Sequence, residues 1–475
     1  MFSVSEPFLL FDYFRVPYTR AADGGAAEPY ASMRALGGGE GALYWVPASV
    51  PAPGRVDGAY RFGSIPVFGG ALSDDDAASW LARIGGDWER RTPLYGWRGG
   101  AVGSSWTSAN GSVFLPFDPN EAISRFWDER YADLLGSRLA RRTRSLANRG
   151  YYMVRPAIPR RGQIALRRRF SIVQSRRPFP RWPIETALHD LYETLFAIAA
   201  ELAGGPVPMI APWPHGHRWA LILTHDVETP SGFEHIGRLC EIETHADYRS
   251  SWNFVPSDGH GLRELIDGLK ADGFEVGVHG LYHDGRDIAE LSKRLPYIRG
   301  YAERWGAAGF RSPATLREWD SIRTLPFDYD SSYFDTSPFE PQPGGCCTWL
   351  PYMIGDIVEL PITLAQDHTV FEILRGSDAR LWLDKAQRLR ELGGMALVLT
   401  HPDYAENDRL LEAYARLLDE FAGDESAWKA LPRDVSDWWR RRAATELIAT
   451  GEGWELDGPA AVDGSVAFAL TDGAP

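Results

Sequence analysis

Residues Trp219 to Glu228 read WALILTHDVE, six residues of near-continuous apolar character running straight into a histidine and two carboxylates. A strand that is apolar on both faces belongs inside a parallel sheet, with helices covering each side. The same grammar recurs downstream. Ser251–Val255 and Phe274–Val278 read as further strands, with a helix over Leu262–Leu269 between them. Then come a long helix over Ile288–Trp305, a short strand at Gly309-Phe310, and strands at Ile357–Ile362 and Met395–Thr400. Helices are expected over Ala379–Leu392, Glu406–Phe421 and Asp434–Ile448. Short buried strands alternating with helices in about six units predict a parallel α/β barrel rather than an open sheet.

The position of the polar residues points to chemistry. The first strand runs into His225-Asp226-Val227-Glu228, and the third into His279-Gly280-Leu281-Tyr282-His283. Gly309-Phe310 runs into Arg311-Ser312-Pro313, and Met395–Thr400 into His401-Pro402-Asp403. The C-terminal ends of parallel strands share one face, where active sites are built. Four such ends carrying titratable or metal-binding groups are expected to converge. His279 and His283 stand at i and i+4, so a helical turn there would place both imidazoles on one face, able to bind one ion at about 2.0–2.1 Å. Two hydrogen-bonded histidines near a polar turn are the other reading of that pair. A carboxylate from the first strand would complete a set of two histidines and one acid.

In order and strand context, THDVE (Thr224–Glu228), HGLYH (His279–His283), RSP (Arg311–Pro313) and LTH (Leu399–His401) resemble the motifs of the polysaccharide deacetylases, carbohydrate esterase family 4. The resemblance covers roughly residues 215 to 445. It implies a distorted (β/α) barrel of about seven strands and a metal-dependent hydrolase that removes acetyl groups from an N-acetylated (or O-acetylated) sugar or glycan precursor. It also implies one divalent ion, with zinc the default for two histidines and a carboxylate. By the same resemblance His279 and His283 are metal ligands, Arg311 pairs with the catalytic base, and His401 is the acid that protonates the leaving group. The first motif departs from the commonest pattern of two adjacent aspartates and is a DVE variant. Residues two apart on a strand point the same way, so both acids can reach the site. Asp226 is assigned as general base and Glu228 as ligand, the exchange of those roles being the alternative. Asp403 and Asp330 are the candidates for orienting His401. Asp367, His368 and Tyr329 are expected to contact substrate, whereas alternation turns His225 away from the site. Two other functions are carried beside this one: hydrolysis of a non-sugar amide on the same fold, and a catalytically inactive carbohydrate-binding protein. The joint presence of base, ligands, arginine and acid argues against the last.

The remaining sequence is less informative. The chain has 475 residues, of which 44% are hydrophobic and 24% charged, as in ordinary globular proteins. Residues 1–205 are expected to form an N-terminal mixed α+β domain of unknown role, with helices over Asp74–Ile84, Asn120–Leu135 and Glu185–Leu202. The barrel takes residues 206–450, and 451–475 form a tail with a hairpin around Asp463-Gly464. Between Arg138 and Trp182 lie fourteen arginines and no other charged residue, in a chain of net charge −14. Such an arm suits an anionic ligand, or lies across the acidic remainder of its own protein or of a second copy. The expected partner is a carbohydrate or sugar-containing small molecule and not nucleic acid, with self-association into a homo-oligomer one role open to the N-terminal domain. The first residues lack a signal-peptide pattern, and no apolar run reaches the roughly 18 residues of a membrane span. A cytoplasmic location is therefore expected. Three cysteines, two of them adjacent, make no disulfide framework.

Overall fold

The computed structural model describes residues 1–21, 28–136, 162, 168–169, 171–257, 261–282, 286, 288–451 and 453–469. His283 and most of the arginine-rich arm fall outside these residues. The chain divides into two compact units, one built from 213–440 with the segment 143–185, the other from 1–142, 186–212 and 441–475.

In the first unit the apolar runs become seven strands: β1 Trp219–Val227, β2 Ser251–Phe254, β3 Glu275–Val278, β4 Gly309–Phe310, β5 Tyr329–Asp330, β6 Ile357–Glu359 and β7 Met395–Thr400. They lie in the order β6-β5-β4-β3-β2-β1-β7, each parallel to its neighbour. Tyr352–Ile354 pairs antiparallel with β6, and Ala427–Lys429 pairs with the start of β1. All nine residues of β1 are buried, as a strand covered on both faces requires.

The curl is completed by backbone just beyond β6. The amides of Thr363 and Leu364 donate to Leu397 O of β7 at 3.3 and 3.0 Å. The Thr363 hydroxyl donates to Met395 O at 2.8 Å and accepts from Leu397 N at 2.7 Å. Thr363, with the Leu364 amide beside it, thus stands in for a ladder at the seam. Outside, Asn407 caps the helix Asp408–Phe421, whose buried face carries Leu410, Leu411, Tyr414, Leu417, Leu418 and Phe421.

The second unit centres on a nine-stranded mixed sheet that runs spatially from Tyr18–Arg20 at one edge to Ile65–Ala71 at the other. Ser73 caps the helix Asp74–Ile84, which buries Ala77, Trp80 and Leu81 against Tyr44, Val46 and Phe114. The helix expected over Asn120–Leu135 is two, Pro119–Trp127 and Tyr131–Leu135, broken where Glu129 takes a φ of 57°. Arg442 joins the three chain segments of this unit. Its guanidinium donates to Tyr13 O and Ile210 O, each at 2.8 Å, and to Ala211 O at 3.1 Å.

Two expectations for the C-terminal region are corrected. The helix read over Asp434–Ile448 spans Pro432–Ala443, and Glu446–Thr450 is a strand that pairs with Gly453–Asp457. Only Leu447 of that strand is buried, so the local apolar residues do not form a helical stripe. The hairpin therefore turns at Gly451 rather than at Asp463-Gly464. Arg441 grips Asp463 with two bonds of 2.9 Å, and Val466–Phe468 pairs instead with Pro208–Ile210. No helix among the described residues is long and apolar enough to cross a membrane.

Glycine at 309 leaves room for the Tyr329 ring, which a Cβ there would approach to 1.9 Å. Gly309→Ala is expected to destabilise the barrel by about 1–3 kcal/mol through overpacking. The check is urea unfolding, with a lower midpoint at an unchanged slope; an unshifted midpoint would mean that β4 and β5 separate freely.

Candidate active site

At the C-terminal end of β1, strand alternation turns Asp226 into the barrel and His225 outward. Asp226 is 1% exposed, a position a carboxylate tolerates only when paired. Its Oδ1 accepts from Arg311 Nη1 at 3.1 Å and from Asn253 Nδ2 at 3.0 Å. Asn253 is the register partner of Asp226 in the β1–β2 ladder, so the amide arrives by strand pairing alone. Gly277 in β3 gives it space, since a Cβ there would lie 2.1 Å from Asn253 Oδ1. Burial works against ionisation of Asp226, but Arg311, His279 and His401 together hold its carboxyl below the usual range.

Arg311 follows β4 and has no exposed surface. Besides Asp226 it donates to Thr224 Oγ1 at 3.0 Å, to Ser331 O at 2.7 Å and to Ser331 Oγ at 2.8 Å. Every arm of the guanidinium is thereby fixed.

His279 follows β3 and donates from Nδ1 to Arg311 O at 3.1 Å. That bond places the proton on Nδ1 and directs Nε2 at the two acids, 3.8 Å from Asp226 Oδ2 and 3.7 Å from Glu228 Oε1. Burial lowers the basicity of this imidazole, and the facing carboxylates more than reverse the effect. The helical turn considered for His279–His283 does not form over its described part, because Gly280 is left-handed with φ 57°. Glu228 sits past the end of β1 with its side chain 31% exposed, and its Oε1 lies 3.9 Å from His401 Nε2.

His401 follows β7. Its Nδ1 bonds Asp367 Oδ1 at 2.7 Å and its backbone amide donates to Asp367 Oδ2 at 2.6 Å. Burial alone would lower the imidazole, but Asp367, then Glu228 and Asp226, raise it to about 10.

Several expectations are revised by these contacts. Asp367 is fully buried and bonds His401 at Nδ1 and at its backbone amide, the contact expected of Asp403 or Asp330. The two acids considered for that task do other work. Asp403 accepts from Glu228 N at 3.1 Å and from the Thr229 hydroxyl, holding the turn after β1. Asp330 is paired in register with Glu359, both buried and pushed up by burial, and accepts from the Ser332 hydroxyl at 2.8 Å. Tyr329 does not face the site either. Its hydroxyl donates to Glu275 Oε1 at 2.7 Å, at the opposite, N-terminal end of β3. His368 stays beside the site, its ring 5.6 Å from that of Tyr404, which lies 5.6 Å from His401. Cys346 and Cys347 are both buried.

Among the described residues no three His, Cys, Asp or Glu side chains close into a metal cage. The donors present nevertheless suit a divalent ion. Two ligands about 2.1 Å from one ion stand about 3.4 Å apart at the tetrahedral angle, and His279 Nε2 lies within a few tenths of an ångström of that spacing from both acids. The proton fixed on Nδ1 leaves Nε2 as the ligating nitrogen.

The carboxylates around His401 predict a pH signature in metal-free protein. The folded-state imidazole lies above its ordinary 6.5, so its stabilising contribution is full below that pH and lost as pH rises through about 10. Asp367→Asn should lower this midpoint markedly in an NMR titration of the imidazole. An unmoved midpoint would remove Asp367 from the role.

No family model and no curated protein matches the chain. Solved structures similar to part of it include one from Pseudomonas aeruginosa PAO1 described as a probable polysaccharide deacetylase, at 18% identity over 50% of this chain and 96% of that one, with a TM-score of 0.40. A second is Puue allantoinase, at 17% identity over 48% and 92%, with a TM-score of 0.38. A third is the peptidoglycan deacetylase PdaC from Bacillus subtilis, at 11% identity over 46% and 90%, with a TM-score of 0.31.

Proposed function

We propose that the barrel is a metal-dependent deacetylase acting on an N-acetylated (or O-acetylated) sugar or glycan precursor. The observation that carries this reading is the opposition of two differently tuned groups across one small space. Asp226 is held ionised by Arg311 and Asn253, and His401 is held protonated by Asp367. A carboxylate base and an imidazolium acid are the pair that amide cleavage requires.

Glu228 and His279, with His283 as the expected third, are the residues that would hold the ion. When bound, a divalent ion supplies Lewis acidity that polarises the acyl carbonyl and acidifies the attacking water. Asp226 takes the proton of that water on Oδ2, since Oδ1 is engaged by Arg311 and Asn253. The water oxygen bonds to the acyl carbon. His401 then delivers its Nε2 proton to the leaving nitrogen as the carbon–nitrogen bond breaks, giving acetate and an amine. Asp367 keeps the imidazole aimed throughout by gripping Nδ1 and the backbone amide of the same residue. The described part of the arginine arm includes Arg168, which donates to Glu372 O at 2.7 Å. A phosphate-bearing sugar is a substrate that such an arm would suit.

The test is acetate release from a panel of acetylated amino sugars and xylans by protein loaded with zinc or cobalt, with a cyclic non-sugar amide included. Asp226→Asn should retain the metal and lose about 10²–10⁴-fold in kcat, the usual contribution of a general base. Glu228→Gln should lose metal affinity. If Asp226→Asn loses the metal while Glu228→Gln keeps it, the two roles are exchanged. No turnover of any acetylated sugar by fully metallated wild type would overturn the reading.

A further inference from the structure

Behind the catalytic pair lies a second buried histidine–carboxylate system that faces away from the site. His225 and Thr400 are the last register partners of the β1–β7 ladder, and Asp226 and His401 are the next residue on each strand. His225 has no exposed surface. Its Nδ1 is 2.7 Å from Thr400 Oγ1, and its Nε2 is 2.6 Å from Glu243 Oε1. Glu243 comes from the helix Ile236–His245, is itself fully buried, and accepts from the Tyr414 hydroxyl at 2.8 Å. Trp252 of β2 stacks on the imidazole, with centroids 4.0 Å apart and planes 24° from parallel. The ring is therefore fixed at both nitrogens and on one face.

The geometry points to His225 and Glu243 as positioning residues that set the spacing between the base Asp226 and the acid His401. The inference rests on the acid and base roles proposed above. The seam on the other side of β7 is made at Met395 and Leu397, several residues before its catalytic end. Near that end the side-chain tie from Thr400 to His225 aligns the two strands. Glu243 holds His225 in turn, and Tyr414 holds Glu243, so two covering helices are locked to the same point. Both donors reach Glu243 Oε1, so loss of either leaves a buried carboxylate less satisfied, at a cost. Misplacement of about 1 Å between reacting groups costs on the order of 10²-fold in rate.

Thr400→Val removes one hydroxyl at nearly constant shape. His225→Phe removes both hydrogen bonds and keeps an aromatic ring to stack on Trp252. Each is expected to lower kcat about 10- to 100-fold with KM and metal content close to wild type. Glu243→Gln, whose amide oxygen still accepts from His225, should recover most of the rate that Glu243→Leu loses. A role confined to stability would lower the melting temperature of both variants and leave kcat per folded molecule unchanged, which overturns the inference. A crystal structure of Thr400→Val decides the matter without any turnover. It should show the His401 ring displaced from its place 3.9 Å from Glu228 Oε1; a ring that superposes on wild type overturns it. If wild type releases no acetate, the deacetylase reading fails and the crystallographic comparison still stands.

Discussion

A guanidinium with no exposed surface has to find partners for all its donors, and in this barrel the partners of Arg311 come from across the interior. It rises from β4, yet its bonds reach Thr224 and Asp226 of β1 and Ser331 after β5. The Ser331 hydroxyl passes the connection on to Leu360 O beyond β6. β1 is not a ladder neighbour of β4, so the bonds to Thr224 and Asp226 act as struts where no sheet hydrogen bond is available. Removal of either charge would strand the other in a low-dielectric interior, a loss of about 3–5 kcal/mol in comparable buried pairs. The orientation of Asp226 and the shape of the loop after β5 follow from the Arg311 side chain, and the placement of His279 follows from the backbone carbonyl of the same residue.

The two ends of the β1–β7 ladder show how alternation divides labour. His225 and Thr400 look outward into the packed helices, while Asp226 and His401 stand at the inner face. Each imidazole is matched with a buried carboxylate, Glu243 outside and Asp367 inside. The outer pair is closed off by Trp252 and Tyr414. The inner pair faces Glu228, whose side chain is 31% exposed. Similar chemistry thus sits in two settings, one sealed among helices and one open to the end of the barrel.

The strands and their catalytic ends were legible because parallel strands buried on both faces write themselves as apolar runs, and because a polar residue ending such a run has only one face to occupy. Asp226, His279, Arg311 and His401 come together for that reason. Asn253 left a fainter trace, an amide between the aromatic Trp252 and Phe254, and register alone would have paired it with Asp226. The partner of His401 was not legible. Asp367 lies 34 residues upstream, past β6, and its approach depends on a loop path that no local pattern encodes. Tyr329 misled because a hydroxyl-rich stretch looks alike whichever end of the barrel it serves; position at the start of β5 sends it down to Glu275. The strand at Glu446–Thr450 was hidden by the helix before it, which ends at Ala443 without a glycine or proline to mark the stop.

Arg442 carries a consequence for how the chain is made. It ties residues from the beginning, middle and end of the sequence into one unit, and the barrel strands are encoded between the second and third of those pieces. Ile210 therefore leaves the ribosome more than 200 residues before the arginine that holds it. At about 5–20 residues per second the interval is roughly 10–50 seconds. The barrel strands are all made before Arg442, so its bonds to Tyr13, Ile210 and Ala211 wait until those strands have been synthesised. Synthesis order thus gives the barrel unit a head start over the unit that begins the chain.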